Sequence, residues 1–143
     1  MDRKPALEDA IILATGAHRG QVDKAGELYI LHPLRVMLEL KDEAGRIAAV
    51  LHDVLEDTSI TVDDLREGGY SEEILRTLDA LTRRKGESYQ DFIERVAADP
   101  LARRVKLADL ADNLDAGRLP GMTEADRQRL ARYRAARERL ESP

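Results

Sequence analysis

Histidine is scarce in this 143-residue chain, and the placement of its three histidines is what first suggests chemistry. His52 is followed at once by Asp53, then by Glu56 and Asp57, at the end of an apolar run. Read as one helix, residues four apart share a face, so His52 stands over Glu56 and Asp53 over Asp57. Carboxylates crowded at a helix C-terminus oppose its dipole, and a bound cation would offset that. Downstream, Asp109 falls between two apolar stripes, Leu107, Leu110, Ala111 and Leu114 on one side and Leu101, Val105 and Ala108 on the other. It is expected to be partly buried and to need a partner. His32 precedes Pro33 and is expected at the N-cap of a helix. Two imidazoles and two carboxylates suit a single Mn²⁺, Fe²⁺ or Zn²⁺, with positions left open for water and substrate. Taken singly, each feature reads as well as a cap, a hydrogen-bonded structural residue or solvated surface; the combination is rarer.

The elements that must position these groups all read as helices. Apolar residues recur at helical spacing from Ala6 to Ala17, with Pro5 at a first helical position. Residues 20–30 form a loop, and a second helix starts at Pro33 and ends near Asp42. A strongly apolar third helix spans Glu43 to Leu55. Thr61, Ser71, Ser88, Asp99 (before Pro100) and Thr123 are N-cap residues for the helices that follow. These run to Gly68-Gly69, Leu81, about Ala98, about Ala116 and Leu140, with a basic loop at Thr82 to Gly86 and a turn at Gly117 to Met122. Nothing alternates with period two for long enough to be a strand. The expectation is one all-α domain of about eight helices over residues 1–143.

Composition narrows the functional classes. With 43% hydrophobic residues the chain can build one core and little more. The absence of Cys removes disulfides, thiolate zinc sites and thiol nucleophiles, and points to a reducing, cytoplasmic setting. No apolar run approaches a membrane span, and the N-terminus lacks the order of a signal peptide. The net charge of −5 argues against nucleic acid as a partner. It is unevenly spread: residues 1–101 carry 13 basic against 21 acidic side chains, and residues 102–143 carry 10 against 7.

Four ordered motifs then carry a resemblance. His18-Arg-Gly-Gln21, Lys24-Ala-Gly-Glu-Leu-Tyr-Ile-Leu-His-Pro33, Leu51-His-Asp-Val-Leu-Glu-Asp-Thr58 and Val105-Lys-Leu-Ala-Asp109 with Asn113 resemble the HD-domain hydrolases of the RelA/SpoT type. The stand-alone small alarmone hydrolases are the most similar members, and the likeness runs from about residue 10 to residue 135. It implies a compact all-α HD fold holding one Mn²⁺ through His32, His52, Asp53 and Asp109. Glu56 and Asp57 match the acidic pair that positions and deprotonates the attacking water. Asn113, Arg129 and Tyr133 match residues near the substrate.

The implied activity is removal of the 3′-pyrophosphate of the alarmone (p)ppGpp, giving GDP or GTP and pyrophosphate. The length leaves no room for the synthetase domain of the long members. Lys24, Arg83, Arg84 and Lys85 could neutralise phosphates, and His18 is expected to be structural. Two departures stand out. Asp23 replaces the family's guanine-stacking Arg, and Leu110-Ala-Asp-Asn113 replaces Arg-Leu-His-Asn. Alternatives therefore stay open: the same centre acting on (p)ppApp or the 2′-phosphate of NADPH, or a non-catalytic nucleotide-sensing module.

Overall fold

The structure, a computed structural model, describes residues 4–115 and 122–142. Among these there are nine α-helices and no strand, only a single antiparallel bridge between Val22 and Leu28. The helices are α1 (Leu7–Ala17), α2 (Leu31–Glu39), α3 (Glu43–Leu51), α4 (Val54–Asp57), α5 (Val62–Glu67), α6 (Glu72–Ala80), α7 (Tyr89–Ala97), α8 (Pro100–Asn113) and α9 (Glu124–Glu141). Side chains that cap helices set most of the starts. Ser71, Ser88 and Asp99 each accept the backbone N–H three residues on, at Ile74, Asp91 and Ala102. Thr61 with Asp64, and Thr123 with Asp126, form reciprocal capping boxes. Gly69, at φ +94°, closes α5 in the left-handed region that its missing Cβ permits.

Three expectations are corrected. Pro5 precedes the first helix, which begins at Leu7 with Ala6 as its N-cap. α2 begins at Leu31 with Ile30 as its N-cap, so His32 sits inside the first turn. The long third helix breaks: α3 ends at Leu51, and Asp53 is the N-cap residue of the short α4. The apolar spacing of Leu51, Val54 and Leu55 hides this break, which gives one helix more than the eight expected. Of the expected turn at residues 117–122, only Met122 lies within the described residues; Ala116, the expected end of the preceding helix, lies outside them.

α3 is the axis of the core. Ala48, Ala49, Val50 and Leu51 are wholly buried, and α3 packs on α1, α2, α6 and α8. A helix apolar on all sides has neighbours on all sides. Burying each larger side chain, such as Leu51, contributes about 1.5–3 kcal/mol. The consequence for the site is geometric. The C-terminal end of α3 delivers His52 and Asp53 to the interior, where α2 and α8 pass on either side. α9 lays Leu130, Ala136 and Leu140 onto the rest and packs against α7 and α8, leaving its arginines outward or toward the cleft.

Candidate metal centre

Three elements meet at one point. His32 comes from α2, His52 and Asp53 from the α3–α4 break, and Asp109 from the middle of α8. His32 Nε2 lies 2.9 Å from Asp109 Oδ1 and 3.9 Å from Asp53 Oδ2. His52 Nε2 lies 3.1 Å from Asp53 Oδ2 and 3.3 Å from Asp109 Oδ1. All four residues anticipated as ligands are therefore brought together. His32, His52 and Asp109 are buried, Asp109 at 4% exposure.

The second nitrogen of each imidazole decides what the first can do. His52 Nδ1 is 2.6 Å from the Ala49 carbonyl, which only accepts, so Nδ1 carries the proton. His32 Nδ1 donates in the same way to Asp112 Oδ2 at 2.6 Å. In the neutral rings both Nε2 lone pairs then face carboxylate oxygens, and His52 Nε2 makes no aligned hydrogen bond. Lone pairs facing carboxylates repel unless a cation lies between them. Ligands about 2.1 Å from an ion stand about 3.0–3.4 Å apart, close to the separations found here. The donor set thus fits a divalent ion, with each ring fixed by its outer partner. Burial opposes charge on both imidazoles, but the carboxylates outweigh it and raise both pKa values. That same field favours a metal cation.

Asp109 is held from several directions. Lys106 Nζ donates to its Oδ2 at 2.8 Å, and Asn113 Nδ2 to its Oδ1 at 3.1 Å. Burial raises the Asp109 pKa, yet Lys106 and His52 overcome this and leave it well below the usual range. Asp53 is tied by the Tyr29 hydroxyl, which donates to Oδ2. Burial and the adjacent Asp53 push the Tyr29 phenol up, keeping it a donor.

Asp53, Glu56 and Asp57 form a second acidic group at the mouth, their carboxylate oxygens within 4.8 Å of one another. Glu56 Oε1 accepts the Arg83 backbone N–H at 3.1 Å. Burial raises the pKa of Glu56 and Asp57 alike, with Asp53 adding to both. Because the helix breaks at Asp53, Glu56 and Asp57 lie on the single turn of α4, which ends at Asp57 with Thr58 as its C-cap. His18 is buried; its Nδ1 meets Gln21 Oε1 at 2.9 Å, and Gln21 Nε2 donates to the Asp57 carbonyl at 3.1 Å.

His32, Asp53 and Asp109 line a cleft of about 510 Å³, a volume suited to a small ligand. Lys24, Arg83, Arg129 and Tyr133 line it as anticipated, and Arg132 and Tyr89 join them. Arg84 and Lys85 do not line it; Arg84 turns to Asp79, 3.3 Å away. Lys24 and Arg129 both reach Asp126 Oδ1, at 3.2 and 3.3 Å, so one carboxylate holds two cations over the cleft. Asp23 accepts the backbone N–H groups of Ala25 and Glu27 at 2.9 and 3.0 Å, so its carboxylate closes its own loop.

Sequence reasoning missed Tyr29, Lys106, Asp112, Arg35 and Asp126. For Tyr29 the available signal was its place in the matched motif three residues before His32. For Asp112 it was the departure from the family pattern.

The chain is 34% identical over 120 residues to a guanosine-3′,5′-bis(diphosphate) 3′-pyrophosphohydrolase of Aquifex aeolicus, covering 76% of this chain and 17% of the relative. It is 33% identical over 154 residues to the bifunctional (p)ppGpp synthase/hydrolase SpoT of Escherichia coli K12, covering 98% and 21%. A solved structure of a metazoan ortholog of SpoT superposes with a TM-score of 0.78 at 25% identity, over 95% of this chain and 85% of that one. By sequence and by fold, the chain is a relative of the SpoT-type hydrolases. A GTP pyrophosphokinase of Myxococcus xanthus also matches, at 32% identity over 87% of the chain. The chain spans about a fifth of the length of the curated relatives it matches. No protein-family model matches it. Among the described residues, no helix is long and apolar enough to cross a membrane.

Proposed function

We propose that this chain is a Mn²⁺-dependent hydrolase that removes the 3′-pyrophosphate of (p)ppGpp. The observation that carries the reading is the convergence of His32, His52, Asp53 and Asp109, two Nε2 lone pairs facing two carboxylates, beside a cleft whose lining includes Lys24, Arg83, Arg129 and Arg132. The relatives named for this reaction, among them a metazoan protein that hydrolyzes ppGpp, support the substrate.

A divalent ion on the four donors would supply Lewis-acid polarisation and acidify the attacking water. Glu56 takes up the proton of that water; burial raises its carboxyl above the ordinary value, which favours proton uptake. Asp57, on the same turn, orients the water. Attack falls on the phosphorus bonded to ribose O3′; the O3′–P bond breaks, and O3′ receives the proton. Lys24 and Arg129, preset by Asp126, neutralise phosphate oxygens, and Arg83 lines the same cleft. Tyr133 and Tyr89, ring centroids 6.3 Å apart, offer the nucleoside an aromatic wall. Asn113 acts on Asp109 as well as facing the cleft.

The test is product analysis with purified protein, added Mn²⁺ and a panel of ppGpp, ppApp and NADPH. Pyrophosphate and GDP from ppGpp, lost in Asp53→Ala, are the expected result. Activity retained in Asp53→Ala would sink the ligand assignment, and preference for another substrate would redirect the specificity.

A further inference from the structure

Asp112 contributes no atom to the four-donor set, yet His32 leans on it. Its Oδ2 accepts the His32 Nδ1 proton at 2.6 Å, while Arg35 Nε and Nη2 reach its two oxygens at 2.8 and 3.2 Å. Asp112 follows Asp109 by three residues on α8, and Arg35 follows His32 by three on α2. The pair therefore ties together the two helices that carry two of the four donors. The Asp112 side chain is only 10% exposed, so the carboxylate works in a poorly solvated place where an unpaired charge is unfavourable.

We propose that Arg35 and Asp112 are positioning residues for the metal centre, a paired device that sets the orientation and tautomer of His32. Asp112 fixes the proton on Nδ1 and so presents the Nε2 lone pair inward. Arg35 grips both oxygens, fixes the plane of the carboxylate and shares its charge, which keeps the proton on the imidazole. The family pattern has a His where Asp112 stands, so the side chain that departs from the pattern is the one His32 uses.

This inference rests on reading His32 as a metal ligand, and the experiment separates the two. Mn²⁺ binding is measured by titration calorimetry on the metal-stripped full chain for wild type, Asp112→Ala, Asp112→Asn and Arg35→Met. Exchange of the His32 Nδ1 proton is followed by NMR in the Zn²⁺-loaded proteins. Asp112→Ala should weaken Mn²⁺ binding about 10–100-fold and speed Nδ1 proton exchange. Asp112→Asn, which keeps an oxygen acceptor, should lose less, and Arg35→Met should fall between it and wild type or match it. Wild-type Mn²⁺ affinity and slow Nδ1 exchange in both Asp112→Asn and Arg35→Met would overturn the proposal even if Asp112→Ala does not fold. A wild-type chain that binds no Mn²⁺ would overturn the metal-centre reading itself.

Discussion

Lys106 Nζ lies 2.8 Å from Asp109 Oδ2, one turn away on α8, so the carboxylate facing two imidazoles is also charge-paired from behind. Both side chains are nearly buried, and the ammonium also sits 5.2 Å from the centre of the Phe92 ring. Lys106 neutralises Asp109 from one side, and a divalent ion would do so from the other.

Lys106→Met should therefore destabilise the metal-free protein by about 3 kcal/mol, the penalty for removing one partner of a buried pair. Mn²⁺ should raise the melting temperature of the variant more than that of wild type, since the ion takes over part of the neutralisation. Thermal denaturation with and without Mn²⁺ measures both. Equal shifts in the two proteins would show that Lys106 does not serve Asp109 electrostatically.

Glu56→Gln keeps an acceptor for the Arg83 N–H but cannot take a proton. Expected is a fall in kcat of about 10²–10⁴-fold with Mn²⁺ affinity unchanged. Steady-state kinetics on ppGpp beside calorimetric metal binding checks this. A loss of metal affinity equal to the loss of rate would make Glu56 a ligand instead.

Acid stability should depend on Glu87. Arg95 binds both its oxygens, at 2.7 and 2.8 Å, and holds its carboxyl down to about 2 from an ordinary 4.5. A carboxyl depressed in the folded state contributes stability that is fully present above its unfolded pKa. That contribution is lost as pH falls from about 4.5 toward 2. Glu87→Gln should lower stability at pH 6 and flatten its decline toward pH 3, followed by urea midpoints. Because this pair braces the loop carrying Arg83, the variant should also raise KM.

Asp23 invites reversion to the family's Arg, but its carboxylate accepts two backbone N–H groups in the loop that ends at Lys24's cleft wall. Asp23→Arg should lower the melting temperature and raise KM for ppGpp, because a loosened loop displaces Lys24. Asp23→Asn retains the acceptor and should stay close to wild type. Improved ppGpp turnover in Asp23→Arg would show that base stacking outweighs loop closure.

The sequence by itself determined the helical class and most helix starts, and it singled out the four residues proposed as metal donors. Caps act over three residues and apolar stripes over one or two turns, so Ser71, Ser88, Asp99 and Thr123 announce their helices locally. His32, His52, Asp53 and Asp109 were legible through the ordered motifs that carry the resemblance, and the fold brings the four together. The tertiary structure alone decided what holds them. The break at His52-Asp53 lies within an apolar run that continues a helical spacing, so periodicity could not reveal it. Asp112 beneath His32, and Asp126 between Lys24 and Arg129, pair residues 80 and 102 positions apart in the case of His32 and Lys24. Such pairs form only where packing brings distant helices together and water is too scarce to satisfy the charges, which no local pattern encodes.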